Sequence, residues 1–129
     1  MRLRRHLLPT TALALALAIP FASAAQSGGD AAKGKETFED RCSMCHVPQG
    51  GGQGPSLEGV AGRKAGSLPG FNYTAALKGS GLTWTAANLD RFISGPTKLV
   101  PGTAMRVMIT DAGQRKDLIA YLASRRSRH

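Results

Sequence analysis

The chain holds only two cysteines, three positions apart, and a histidine follows the second: "RCSMCH", Arg41 to His46. Any fold this chain adopts must give Cys42, Cys45 and His46 a shared purpose, because no other cysteine is available to pair with either thiol. A disulfide across so short a loop would constrain the unfolded chain little. Dithiol exchange of the thioredoxin type uses Cys-x-x-Cys, but it sits in a βαβ setting, and no strand pattern precedes Cys42. Tetrahedral zinc needs two ligands beyond the thiols. Besides His46 the histidines are His6, near the start, and His129, the last residue.

Covalent attachment of haem satisfies the whole cluster. On a helix, positions 42 and 45 lie one turn apart on the same face. Each thiol can then form a thioether to one vinyl edge of a single porphyrin. His46 lies about 100° further round the axis and can reach the iron. Cys-x-x-Cys-His is the attachment signature of c-type haem, with Ser43 and Met44 as the variable spacers. Upstream, Asp30 reads as an N-cap, and Ala31, Gly34, Phe38, Cys42 and Cys45 form one continuous helical stripe. Gly34 in that stripe predicts close approach by another helix.

The first residues read as an export signal rather than as part of a domain. Arg2, Arg4 and Arg5 form a basic head, an apolar stretch runs from Leu7 to Ile19, and Ala22-Ser23-Ala24 offers a small-x-small cleavage site. The apolar run is too short to span a bilayer, which needs about 20 residues. Cleavage is expected after Ala24, leaving residues 25–129 as one domain. That remainder keeps fourteen basic residues against eight acidic ones, a formal charge of +6. A basic exported domain suits an acidic partner surface. No helix carries a dense basic face of the kind nucleic acid would require. Arg125, Arg126 and Arg128 read as a solvated, frayed end.

A domain of this size buries only about two-thirds of its unfolded surface. Aromatics are 5% of the chain and glycines number 16, so the core is thin and a large apolar cofactor would fill it well. Further helices are expected over Thr74–Gly79, over Thr85–Ser94 with an end at Gly95-Pro96, and after an Asp111 cap. In the last of these, Leu118, Ile119, Tyr121 and Leu122 mark the buried face. "GGGQG", Gly50 to Gly54, reads as a flexible loop, and no convincing strand or internal repeat is present. For a sixth iron ligand the spacing leaves Met44, Met105, Met108 and His129 open, with Met105 at the end of the stiff loop "LVPGTAM".

The segments "GDAAKGKETF", "CSMCH", "GPSLEGVAGRKAG", "PGFNYTAALKGSGLTW", "PGTAM" and "DLIAYL" together resemble a class I c-type cytochrome, of the mitochondrial and bacterial c2 kind. The resemblance covers essentially all of residues 29–129. It implies a small all-α fold wrapped around one covalent haem c, with the terminal helices crossing near Gly34, Phe38 and Tyr121. By the same likeness Cys42 and Cys45 carry the thioethers, and His46 and Met105 ligate the iron. The carbonyl of Pro55 would accept the other imidazole N–H, which a ligating histidine needs to have bound. Tyr73, Trp84 and Thr103 would serve the haem propionates, with Arg63 as a nearby positive charge.

Three departures from the family pattern stand out. Phe92 replaces a tyrosine that hydrogen-bonds near the methionine sulfur, Leu77 replaces an asparagine near a buried water, and Val107 replaces an aromatic beside the haem edge. Ala104 and Thr97 thin the usual lysine ring, leaving Arg41, Lys98 and Arg106 as docking candidates. The resemblance implies a monomeric, soluble periplasmic electron carrier with no enzyme activity and no stable membrane insertion. Its donor would be a quinol-oxidising complex or a dehydrogenase, and its acceptor an oxidase, a reductase or a photosynthetic centre. A second reading keeps the haem but makes the protein a peroxidase-like or gas-binding one, with Met105 labile.

Overall fold

The computed structural model describes residues 28–125. The expected export signal lies outside the described residues, as do Arg126, Arg128 and His129. Among the described residues five helices follow one another: α1 (Ala31–Arg41), α2 (Ala75–Lys78), α3 (Ala86–Ser94), α4 (Pro96–Leu99) and α5 (Ala112–Ser124). Among the described residues strand pairing is limited to an isolated bridge between Lys64 and Thr83. The fold is all-α.

Each longer helix starts where a short oxygen-bearing side chain can satisfy its free N–H groups. The Asp30 carboxylate accepts from Ala32 and Lys33, Thr85 from Asn88, and Asp111 from Gln114. Thr74 does the same for the single turn of α2. One further helix sits where the sequence suggested only a terminus. Gly95 is extended and Pro96 opens α4. Proline is well tolerated at a first helical position, because its missing N–H would have had no partner there.

The first helix is shorter than its apolar stripe. It closes at Arg41, and the amides of Cys42 and Ser43 both converge on the Phe38 carbonyl. Residues 42–46 then form a separate turn, in which Cys45 and His46 donate to the Cys42 carbonyl. The stripe kept its period across that break because the turn is itself nearly helical.

The terminal helices α1 and α5 cross in direct contact. The Asp117 carboxylate accepts the Asp30 amide at 2.7 Å, and the rings of Phe38 and Tyr121 stand 5.4 Å apart. Phe38, Leu89, Phe92, Ile93, Leu118 and Leu122 form the buried centre, joined by Val60, Trp84, Val100 and Ile109 from the connecting segments. On α5, Arg115 pairs with Asp90 of α3 at 2.7 Å and donates to the carbonyls of Ile109 and Thr110. That one guanidinium ties the chain leaving the Met105 loop to two helices.

Arg125 is a correction to the frayed-end expectation. Its side chain is only 12% exposed and pairs with Glu58. The guanidinium lies 4.7 Å from the centre of the Phe38 ring, while the Arg125 carbonyl accepts the Gly59 amide at 2.7 Å. Its alkyl stem and flat cation cover the ring that a solvated tail would have left open.

Candidate functional site

The site is built around the turn that follows α1. Cys42 and Cys45 are both unpaired thiols and both partly buried. Burial pushes the Cys42 thiol up to about 11, with the Arg41 charge opposing the shift and Cys45 adding to it. A thiol held protonated in this way is the opposite of a redox-exchange nucleophile, which needs a lowered pKa. Among the described residues no group of three or more His, Cys, Asp or Glu side chains gathers in a way that could hold a metal ion.

His46 is oriented by its surroundings. Its Nδ1 lies 2.7 Å from the Pro55 carbonyl oxygen. A carbonyl only accepts, so the bond assigns the ring proton to Nδ1 and leaves Nε2 as the basic nitrogen. Burial lowers the imidazole pKa, against the opposing effect of the Pro55 bond, which keeps the ring neutral and ligand-competent. Gly54 supplies the room: a Cβ there would fall 2.5 Å from His46 Cε1 and 2.7 Å from Nδ1. The Gly54 amide in turn donates to the Cys45 carbonyl at 2.9 Å, so the 54–55 segment is tied to the cysteine turn at both groups.

Arg63 braces that segment from behind. Its guanidinium donates to the carbonyls of Ser56 and Glu58, each at 3.0 Å. Its own carbonyl accepts the Trp84 amide at 2.8 Å. Trp84 is buried against Phe92, with ring centres 4.9 Å apart. His46, Pro55, Arg63 and Trp84 are thus one connected framework. Tyr73 stands on a separate loop, edge-on to Phe71 at 4.9 Å. Thr103 is the buried polar residue among those described, at the close of the turn after α4. Of the described methionines, Met105 packs against the core, while Met44 and Met108 are exposed.

Sequence reasoning missed Glu58 and Arg125. Glu58 sits three residues after Pro55, and the Arg125 latch holds it there. Only the unusual position of a charged residue amid "SLEGV" offered a signal.

The donor set fits one porphyrin bound through two thioethers and an imidazole nitrogen. The residues test positively on chemistry: two protonatable thiols on one turn, a tautomer fixed with Nε2 free of its proton, and a thin apolar core beside them.

Comparisons with known proteins agree. The cytochrome c family pattern matches residues 31–126. The chain is 43% identical to cytochrome c2 of Rhodomicrobium vannielii over 113 residues, covering 83% of this chain and 88% of that one. It is 44% identical to cytochrome c of Gibberella zeae over 100 residues, covering 74% and 94%. Among solved structures, cytochrome cH from Methylobacterium extorquens superposes with a TM-score of 0.71 at 45% identity, covering 74% of this chain and 99% of that one. The turn of two thiols, the oriented imidazole and the all-α frame around them therefore have a common explanation: the chain belongs to the cytochrome c family, class I c-type cytochromes that carry electrons on one covalent haem c.

Proposed function

We propose that this chain is an exported, periplasmic one-electron shuttle, with residues 1–24 removed as a signal and residues 25–129 acting as the carrier. Its donor is a quinol-oxidising complex or a dehydrogenase, and its acceptor an oxidase, a reductase or a photosynthetic centre. The bound haem supplies a single iron that alternates between ferric and ferrous states. Everything else is the work of the chain. Cys42 and Cys45, both free thiols, would hold the porphyrin through two thioethers. His46 offers Nε2, and the Pro55 carbonyl fixes its ring and raises its basicity. Met105 offers a soft thioether, which favours the ferrous state, as does burial away from water. Arg63 and the hydroxyl or indole N–H groups of Tyr73, Trp84 and Thr103 answer the propionate charges, which are costly to bury unpartnered. His46 and Met105 would together hold the iron, and on this reading the chain works as a carrier, not an enzyme.

One observation carries this reading: the imidazole is fixed with Nε2 unprotonated, while Met105 alone of the described methionines is turned against the core. The test is spectroscopic. Wild-type ferric protein should display the weak near-infrared sulfur-to-iron band. Met105→Ala should abolish it and let the reduced protein bind carbon monoxide, whereas Met108→Ala should preserve it. Rapid, complete carbon monoxide binding by the reduced wild type at neutral pH would reject the carrier in favour of a gas-binding or peroxidase-like protein.

A further inference from the structure

The bond between His46 Nδ1 and the Pro55 carbonyl is only as firm as the segment that carries that carbonyl. On one side of Pro55 the Gly54 amide is tied to Cys45 at 2.9 Å. On the other side, Ser56 to Gly59 belong to no helix or strand. Within this loop the Glu58 amide reaches Ser56 Oγ at 3.3 Å, and Ser56 Oγ donates to the Pro48 carbonyl at 3.1 Å. Two arginines supply the rest. Arg63 donates to the carbonyls of Ser56 and Glu58. Arg125 comes from the end of α5: its guanidinium pairs with the Glu58 carboxylate, and its carbonyl accepts the Gly59 amide. That guanidinium is itself fixed between the rings of Phe38 and Tyr121, 4.7 Å and 5.4 Å from their centres. Glu58 thus holds one arginine on its carbonyl and another on its carboxylate, three residues beyond the carbonyl that orients the imidazole. The crossing of α1 and α5 is already closed by the Asp30–Asp117 bond and the Phe38–Tyr121 contact. What Arg125 adds is an anchor for the loop.

We propose that Arg125 and Glu58 are positioning residues for His46: their pair holds the Pro55 carbonyl against Nδ1 and so sets how strongly Nε2 donates to a bound haem iron. The inference rests on the carrier reading, in which His46 is a ligand, and adds how that ligand is tuned. A firmly bound Nδ1 proton makes Nε2 the more basic donor, which favours ferric iron. With the latch cut, the loop is held by Arg63 alone, the bond to Nδ1 weakens and the ferrous state gains. The latch acts through the backbone between Pro55 and Gly59, and the crossing of the terminal helices is thereby coupled to the iron.

The opposite charges of the pair separate positioning from a plain field effect. By charge alone, removing an anion raises the potential of a cationic iron centre and removing a cation lowers it. Acting through Pro55, Glu58→Gln and Arg125→Met should instead both raise it. Holoprotein of each variant is compared with wild type by voltammetry and by proton and nitrogen NMR of the ferrous form, labelled in histidine. The His46 Nδ1 proton resonance should move upfield in both variants, as its hydrogen bond weakens. Arg125→Lys keeps a pairing charge and should recover part of both shifts. Glu58→Gln is isosteric and leaves Arg125 on its rings, so it reports even where Arg125→Met takes up haem poorly. Potentials shifted in opposite directions would reduce the pair to its charges and overturn the proposal, and so would an unmoved Nδ1 resonance in the variants. A wild type whose imidazole shows no sign of iron ligation overturns the carrier reading as well. A ligated wild-type imidazole beside variants that leave resonance and potential unchanged overturns the positioning role alone.

Discussion

Gly34 of α1 faces the main chain of Asp117 on α5 so closely that a Cβ at position 34 would overlap the Asp117 carbonyl and come within 2.8 Å of Tyr121 Cβ. The obstacle is backbone, which cannot rotate away. Gly34→Ala should therefore force the terminal helices apart and destabilise the holoprotein by about 3 kcal/mol, despite the better helix propensity of alanine. Denaturant unfolding followed at the haem absorption checks this. A variant as stable as wild type would mean that the helices can slide apart at no cost.

The same crossing is closed at its other end by Arg125. Arg125→Ala removes the Glu58 pair and the cation over Phe38 together, and should cost about 1–2 kcal/mol. Arg125→Lys should recover only part of this, since a lysine ammonium cannot lie flat on the ring while pairing with Glu58. Glu58→Gln separates the two contributions: raising the salt concentration should lower wild-type stability toward that of the variant but leave the ring contact in place. A melting temperature indifferent to all three changes would return residue 125 to the solvated tail.

How far the sequence reaches can be judged from these residues. Gly34 was legible because a glycine inside an amphipathic stripe has few uses other than close packing, and the caps Asp30 and Asp111 were legible because their chemistry is local. Arg125 was not. Its role depends on Glu58, which lies 67 residues away, and a basic residue near a terminus has the same composition whether it frays or latches. The end of α1 was misplaced for a related reason, since periodicity cannot distinguish a helix from a helix-like turn that continues its phase. Pro96 reads as a terminator and an initiator equally well, and only the course of the chain after Gly95 decides between them. At the site, the position of His46 follows from its motif, but the bracing of Ser56 and Glu58 by Arg63 follows from no local pattern.

Gly54 offers a sharper test of the imidazole's orientation than replacing the ligand itself. Gly54→Ala would set a methyl group 2.5–3.0 Å from three atoms of the His46 ring, so the ring must rotate or the 54–55 segment must withdraw. Either movement breaks the 2.7 Å contact with Pro55. Haem should still attach, because Cys42 and Cys45 are untouched. The reduced protein should nevertheless show a weakened axial field, read as a broadened spectrum and a shifted potential, and a gain of ligand binding on the His46 side. A variant with wild-type spectra would show that the Pro55 carbonyl does not set the ring's position.

Acid should remove the His46 ligand in a predictable direction. Burial lowers the folded-state pKa of His46 below its ordinary value of 6.5, so between those two values the unfolded chain binds a proton that the folded chain refuses. Stability then rises with pH across that window. The His46 contribution is complete above pH 6.5 and declines as pH falls, by at most about 1.4 kcal/mol per pH unit for one proton. An iron held on Nε2 competes for the same proton, so coordination pushes in the same direction and extends the window further into acid. Titrating the near-infrared band and the unfolding midpoint together from neutral pH downward should find both falling in this range. A midpoint that rises on acidification from pH 6.5 would mean that His46 gains a proton on folding, and the neutral, Pro55-bound imidazole would have to be abandoned.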